Sequence, residues 1–382
     1  MNVTFFQLKR QTLRSLLIGA CLAGTSLRAE TLTNLEAVDP NGVSTWNGSF
    51  PFTVTGVLLC EPSEMLDSTP NFLPWDNGAN AFNLGGQWQV FVQTILPGDR
   101  GGVECWMGQN YGNLPWEPHD GSDSYSDVNW SAEVQRVSHD PITGSALHKG
   151  DLVTVTARAS LFYGGMQNIN EEHSTDSTND FTISLLVAGF GLPTPEVISL
   201  ASIISTNLGT NGHYDIFDPS RATGGERYQG MRVRITGLTL LSTNGWTTNP
   251  DWSSRFCTAT DGEGRQIPLI HPLYDLGAAP TNRFDATGVF IQESGSGTDG
   301  TFGYELFLQE VTPSADAVLN IAMKPVITWP SSLSNYQLQS RDSVSSTNWT
   351  AVTNLPVLIN GQNTIIVEPT AAREFYRLKR IQ

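Results

Sequence analysis

Apolar residues recur at every second position in many short runs of this chain, and clusters of Gly, Pro, Asn and Asp separate the runs. Alternation with a period of two is typical of β-strands that bury one face, and the separating residues are those that favour turns. The pattern therefore predicts an all-β protein. Representative runs are WQVFVQ (88–93), DLVTVTARASLF (151–162), FTISLLV (181–187), YELFLQEV (304–311) and NTIIVE (363–368).

One segment departs from this alternation. PEVISLASIIS, residues 195–205, has apolar side chains at Val197, Leu200, Ala201 and Ile204, which is helical spacing. The sequence predicts a helix there.

Two octets repeat each other at a distance. FTVTGVLL (52–59) and VRITGLTL (233–240) share Thr-Gly at the fourth and fifth positions and Leu at the last. Similar lead-in segments, TLTNLEAV and VISLASII, precede them. In the first copy WQVFVQ, GGVECWMGQ, GDLVTVTARASLF and FTISLLV follow, which makes five strands. We interpret the octets as equivalent first strands of two five-stranded units, in which Gly56 and Gly237 permit a bend or bulge.

The second copy resembles a known module. ISLASII…ERYQGMRVRITGLTL…DGEGRQIPL…DATGVFIQES…GYELFLQEV, over roughly residues 195–312, is similar to the OB-fold modules of exported bacterial proteins, some of which occur beside extracellular nucleases. The resemblance implies two OB-like five-stranded barrels, the first with long insertions at 61–86 and 106–148. YQLQS…NWT…EFYRLK near the end resembles the small terminal β-sandwich modules of exported bacterial proteins.

These observations predict a domain order. A signal peptide covers residues 1–29, a first OB-like barrel domain residues 30–190, a second residues 191–315, and a C-terminal β-sandwich module residues 320–382.

The first residues have the pattern of an export signal. Lys9, Arg10 and Arg14 precede the short apolar run LLIGACLAGTSL, and cleavage is predicted after Ala29. The alternative is a lipoprotein site at Cys21. No later apolar run approaches the ~20 residues of a membrane span. The predicted location is secreted, periplasmic or at the cell surface.

The net charge of the chain indicates which class of partner it can bind. The chain has 21 Lys and Arg against 37 Asp and Glu, a net charge of −16. The predicted signal segment has four basic and no acidic residues, so 17 basic and 37 acidic residues, a net charge of −20, would remain. Such a field repels phosphates at long range, which disfavours nucleic acid as the partner.

Three cysteines follow the signal segment. Cys60 and Cys105 are the candidate disulfide pair, because both lie in the first copy and an export compartment permits disulfides. The alternative is that these two and Cys257 are small buried hydrophobic residues. No C-x-x-C spacing occurs, so no zinc site is predicted.

Catalytic and metal-binding patterns are weak. The six histidines lack paired-ligand spacing, and no nucleophile elbow or phosphate-binding glycine loop occurs, so no cofactor is predicted. Glu171 and Glu172 lie in a polar segment that we interpret as a solvated loop, and the alternative is a catalytic carboxylate pair whose partners meet only in the fold. HDGSDSYSD (119–127) brings together Asp120, Asp123 and Asp127, which predicts either a structural calcium site or a plain polar loop.

The clearest candidates for ligand binding are aromatic. Four tryptophans lie in turn-rich surroundings, where an indole ring can stack on a sugar or a base; they are Trp75, Trp116, Trp246 and Trp252. Arg232 and Arg234 alternate with apolar residues and share the outward face of one predicted strand. The alternatives are tryptophans that pin their own loops and an ordinary solvated strand face.

The sequence thus favours an exported, non-catalytic binding or scaffold protein for a polysaccharide or a protein partner. An accessory nucleic-acid-binding protein associated with extracellular nuclease activity is the alternative. A hydrolase with an unrecognised site comes third.

Overall fold

The computed structural model describes residues 28–119, 122–209, 212–293, 303–314, 325–367 and 373–381. The predicted all-β class is confirmed. The chain divides into two compact units, residues 1–314 and 315–382. No helix in the described ranges is both long enough and apolar enough to cross a bilayer.

Fourteen described strands belong to the first unit. They are β1 (Arg28–Ala29), β2 (Phe52–Leu58), β3 (Gln87–Gln93), β4 (Gly102–Gly108), β5 (Leu152–Ala157), β6 (Ser160–Tyr163), β7 (Met166–Ile169), β8 (Thr182–Val187), β9 (Glu196–Ile198), β10 (Met231–Leu240), β11 (Phe256–Thr260), β12 (Gln266–Ile270), β13 (Phe284–Gln292) and β14 (Tyr304–Pro313).

Short helices connect these strands. The α-helices are α1 (Leu32–Leu35), α2 (Pro62–Met65) and α3 (Asp127–Val137), and the 3₁₀ turns are Tyr111–Asn113, Leu200–Ser202, Gly225–Tyr228 and Trp252–Arg255.

The second sheet is a closed five-stranded barrel. Strand β10 pairs with β11, the path continues through β12, β14 and β13, and β13 returns to β10. Strands β12 and β14 run parallel, and the other neighbours in the ring are antiparallel. Val233, Ile235, Leu269 and Leu306 are fully buried in its core. Alternate residues of each strand therefore fill the barrel.

The first sheet follows the same pairing order with one interruption. Strand β2 lies between β3 and β5, β3 pairs with β4, β4 pairs in parallel with β7, and β7 pairs with β6. Only Arg158 and Ala159 separate β5 from β6 along the chain, but the described pairings join these two strands by no ladder, so this sheet is not closed by hydrogen bonds as the second one is. The fifth position belongs to the short β7. The predicted fifth strand, FTISLLV, forms β8 and pairs with the outer side of β5 instead.

The predicted equivalence of the two octets is confirmed. Both β2 and β10 are first strands with an antiparallel neighbour on each side, and each also pairs with a short parallel lead-in strand, β1 or β9. The glycines act differently. Gly237 has φ +75° at the bulge where the register with β13 shifts. At Gly56 a Cβ atom would lie 2.4 Å from the carbonyl oxygen of Gln93 on β3.

Two helix assignments needed correction. The helix predicted at residues 195–205 is wrong, because Glu196–Ile198 pairs with β10 and only Leu200–Ser202 turns as a 3₁₀ helix. Helix α3, in the insertion at 106–148, was missed. Ser126 caps its N-terminus by accepting from Asn129 N, and Trp130 and Val137 are buried.

The two sheets of the first unit share one core. Ile270, Val289, Ile291 and Phe307 of the second sheet pack into the cluster that fills the first. The N–H of Gly102 on β4 donates to the carbonyl of Gln229, at 3.0 Å. The predicted boundary between residues 190 and 191 therefore falls inside a single compact unit.

Most of the predicted signal segment, residues 1–27, lies outside the described residues. Arg28 and Ala29 form β1, and the N–H of Glu30 donates to the carbonyl of Thr53 at 2.8 Å. Cleavage after Ala29 and the alternative at Cys21 both stay predictions.

The second unit contains two three-stranded sheets. One has the order β15 (Val326–Pro330), β19 (Gln362–Ile366), β18 (Val357–Ile359), and the other β17 (Thr350–Ala351), β16 (Tyr336–Arg341), β20 (Phe375–Arg380). Trp329, Leu338, Ile365 and Val367 form the small core.

Candidate functional site

A cavity of about 290 Å³ lies between the first sheet and the second barrel. It is lined mainly by aromatic, aliphatic, amide and carboxyl side chains. The lining residues are Leu66, Phe82, Leu84, Gln87, Gln89, Glu104, Trp106, Leu114, Trp116, Leu161, Tyr163, Met166, Asn168, His173, Trp252, Ile291, Gln292, Glu293 and Phe307.

The first sheet contributes one face of two neighbouring strands. On β4, Glu104 and Trp106 are partly buried and alternate with fully buried residues of the first core. Gln89 of β3 lies opposite Trp106 in the ladder. Because side chains two residues apart point to the same side of a strand, Glu104 and Trp106 both face the cavity.

Aromatic rings lie at the entrance. Phe82, Trp116 and Tyr163 remain 65%, 62% and 47% exposed, although each lines the cavity. The ring of Trp116 is 5.9 Å from that of Phe82 and 6.4 Å from that of His173. Exposed aromatic side chains clustered around a concavity are typical of binding sites.

His173 links the entrance to the interior. Its ring meets Trp106 edge-on at 5.8 Å, and its backbone has φ +55°. Burial lowers the pKa of His173 to about 4, so the ring is neutral at pH 7. His173 thus contributes an uncharged aromatic surface with hydrogen-bonding nitrogens.

The two charged side chains that line the cavity are both acidic. Burial, and secondarily the charge of Glu293, raises the pKa of Glu104 to about 8. Burial also raises the pKa of Glu293. No Lys or Arg is among the residues described as lining the cavity. The site therefore offers carboxyl groups and aromatic faces without a cation.

Two of the four predicted tryptophans lie at the cavity and two lie elsewhere. Trp116 and Trp252 both line the cavity. Trp75 stacks on His119 with ring centroids 3.8 Å apart and is not among the lining residues. Trp246 packs against the second barrel core and donates from Nε1 to the carbonyl of Gly277 at 2.9 Å.

The two arginines predicted on the outward strand face, Arg232 and Arg234, bind other groups of the same chain. Arg232 donates to Oε1 of Gln309 at 3.1 Å and to the carbonyl of Pro193 at 3.1 Å. Arg234 pairs with the carboxylate of Asp285 at 2.7 Å. Both guanidinium groups thus bind neighbouring segments, and neither lines the cavity.

The acidic loop predicted to bind calcium is partly described. Asp120 lies outside the described residues. Asp127 accepts from Phe72 N at 2.9 Å and from Gln109 Nε2 at 2.8 Å, while Asp123 is buried. Calcium at this loop stays a prediction.

A different acidic group lies beside an open cleft. Carboxyl oxygens of Glu133, Glu171 and Asp180 lie within 4.8 Å of one another. The guanidinium of Arg136 lies within 4.0 Å of all three carboxyl groups. Because this cation already pairs with the three carboxyl groups, the arrangement favours an internal ion network over a metal site.

The solvated-loop interpretation is wrong for Glu171. Its side chain is fully buried, and the hydroxyls of Tyr125 and Tyr111 donate to Oε2 at 2.8 and 3.3 Å. Glu172, the next residue, is exposed.

The cysteines of the described chain are buried free thiols. Cys60 and Cys105 both lie in the first core, and Cys257 lies in the second.

Sequence reasoning missed most of the cavity. Glu104 and Trp106 gave a usable signal, since they lie on the opposite face of a strand from Val103, Cys105 and Met107. His173 and Glu293 gave none, because each adjoins this face only through the fold. No protein-family model and no curated protein sequence matches the chain, so the functional argument rests on the residues of the cavity.

Proposed function

We propose that this chain is an exported, non-catalytic binding protein and that the cavity between its two OB-like barrels takes a short part of a carbohydrate chain. The observation that supports this most is the combination of exposed aromatic rings with carboxyl and amide groups around one concavity. Sugar rings present C–H faces that pack on aromatic rings, and hydroxyls that pair with amides and carboxyls.

The lining disfavours an anionic ligand. A nucleic acid needs cations for its phosphates. The cavity is lined by two glutamates, and Arg232 and Arg234 are bonded within the protein. The overall charge of −16 acts in the same direction. Carbohydrate is therefore the better ligand class.

Trp116 provides the direct test. Trp116→Ala should weaken binding of the tetramers of β-1,4-linked glucose, N-acetylglucosamine and glucosamine by about 1–3 kcal/mol, the scale for one stacked aromatic ring. Isothermal titration calorimetry on the mature protein measures this loss. Because Trp116 is 62% exposed, its removal should leave the unfolding temperature unchanged.

Trp75→Ala is the matched control. Trp75 lies in the insertion at 61–86, stacks on His119 and does not line the cavity, so affinity should be retained. If none of the three tetramers binds the unsubstituted protein, the proposed function is wrong. Equal losses for the two variants would remove the cavity as the binding site.

A further inference from the structure

Three glutamates in and beside the cavity lack a counter-cation. Glu104 and Glu293 line the cavity, and Glu305 lies opposite Ile291 in the β13–β14 ladder. None of the three is in an ion pair within the described ranges. In addition, Oε2 of Glu305 is buried without a hydrogen-bond partner.

Two other partly buried acids of this protein do have basic partners. Glu64 pairs with Lys149 at 3.1 Å, and Asp285 pairs with Arg234 at 2.7 Å. Uncompensated carboxyl groups are costly, and they are the groups that a cation would stabilise. A cationic ligand in the cavity would therefore stabilise the ionised form of these glutamates.

Aromatic rings surround the same carboxyl groups. Trp106 shares a strand face with Glu104. Tyr163 lines the same cavity as both carboxyl groups, and burial, and then the charges of Glu293 and Glu104, raises its pKa. Carboxylates combined with aromatic faces recognise ammonium groups, through charge pairing and cation–π attraction.

We propose that the cavity selects an amine-bearing sugar, with the ammonium group held by Glu104 and Glu293 and the sugar ring against Trp106 and Trp116. This inference rests on the proposed carbohydrate-binding function and narrows it to the free-amine class. Neutral, N-acetylated and acidic sugars lack the charge that these carboxyl groups need.

The carboxyl groups give the selection a pH dependence. Burial and the charge of Glu293 raise the pKa values of Glu104 and Glu305 to about 8. Glu293 is raised as well, while burial lowers the pKa of the neighbouring His173 and keeps it neutral. A bound ammonium requires ionised carboxylates, so binding should release protons, and a permanently charged ligand should bind more tightly as pH rises towards about 8.

The test compares matched tetramers by calorimetry. The β-1,4-linked glucosamine tetramer should bind at least about ten-fold more tightly than its N-acetylated counterpart and the glucose tetramer, about the scale of one exposed cation–π pair reinforced by charge. The N-trimethylated glucosamine tetramer, which cannot lose its charge, should gain affinity between about pH 6 and pH 8 as the carboxyls ionise. Equal binding of the amine and N-acetyl tetramers overturns the inference and leaves the proposed function intact.

Glu293→Gln and Glu104→Gln identify the groups responsible. Each keeps the size of the side chain and removes the charge, so each should abolish the amine preference, measured as the ratio of the affinities for the glucosamine and glucose tetramers. Glu310→Gln, an exposed residue of β14, should keep the preference. A tetralysine peptide serves as the other source of amines. If it binds and no sugar does, both the inference and the proposed function are wrong.

Discussion

Gly102→Ala should destabilise the first unit, residues 1–314, by about 3 kcal/mol, the upper end of the range for overpacking a close contact. A Cβ atom at this position would lie 1.9 Å from the carbonyl oxygen of Gly230. The added Cβ atom is bonded to the backbone and the oxygen is part of it, so no side-chain rotation relieves the clash. The hydrogen bond from Gly102 N to the carbonyl of Gln229 would break as the barrels separate.

The same substitution should weaken ligand binding. The cavity needs Glu104 and Trp106 from the first sheet, and Glu293 and Phe307 from the second barrel. Moving one sheet away from the other displaces these groups, and sub-ångström positioning matters for binding sites. Urea unfolding and calorimetry with the glucosamine tetramer measure the two effects.

Gly262→Ala is the control for this prediction. A Cβ atom there meets nothing within 4 Å, and the backbone does not require a positive φ. Its stability should stay within about 0.5 kcal/mol of the parent protein, as for most surface changes. Unchanged stability of Gly102→Ala would show that the backbones do not meet at this point.

The sequence predicted the architecture because its signals are local. Alternation within each strand and the repeated octets placed β2 and β10 as first strands, and the pairing confirms it. Turn residues and apolar positions act within a few residues of each other. Such patterns can be recognised in the sequence without knowing which distant segments pair in the fold.

The errors arose in segments whose secondary structure is determined by pairing with a distant strand. In residues 195–205, apolar spacing fits a helix, but β-branched Val197 and Ile198 also fit a strand, and β10 provides the partner. The fifth strand of the first ring was misassigned for a similar reason. Four-residue β7 has a weak pattern, and only its parallel pairing with β4 at Cys105–Ile169 defines its place.

The candidate site was predicted only in part. Trp116 and Trp252 were chosen for their turn-rich surroundings, and both line the cavity. Arg232 and Arg234 were placed correctly on the less buried face of β10, yet Gln309, Pro193 and Asp285 occupy their guanidinium groups. Alternation predicts the direction of a side chain but not its partners.

A second large effect should come from Arg136. Its Nε donates to Oε2 of Glu133 at 2.8 Å, and Nη1 donates to the carbonyl of Phe181 at 2.7 Å. Nη2 also lies 3.9 Å from Oε1 of Glu171 and 3.9 Å from Oδ2 of Asp180. Arg136→Met removes the cation shared by three carboxyl groups. We expect a loss of about 3 kcal/mol near pH 7.5, the low end for breaking a buried pair, because Arg136 is about one-third exposed.

The loss should depend on pH. Burial alone would raise the pKa of Glu133, but hydrogen bonds from Arg136 and Glu171 keep it below its ordinary value. Its stabilising contribution is therefore present above the ordinary pKa and is lost as pH falls through the lowered one. Burial raises the pKa of Asp180 to about 6 and that of Glu171 to about 9, so these two groups favour the folded state most at low pH.

Without Arg136, Glu133 loses the group that keeps it ionised, and its pKa should rise like those of its two neighbours. The variant can then relieve the repulsion by taking up protons near pH 5 but not near pH 7.5, so the destabilisation should be smaller at the lower pH. Urea unfolding at both pH values measures the difference.

Arg158→Met is the control. Arg158 is exposed, and the one hydrogen bond described for its side chain goes to the backbone carbonyl of Asp180 at 2.8 Å. An equal loss at both pH values would mean that Arg136 stabilises this region by packing, and that the three carboxyl groups do not depend on its charge.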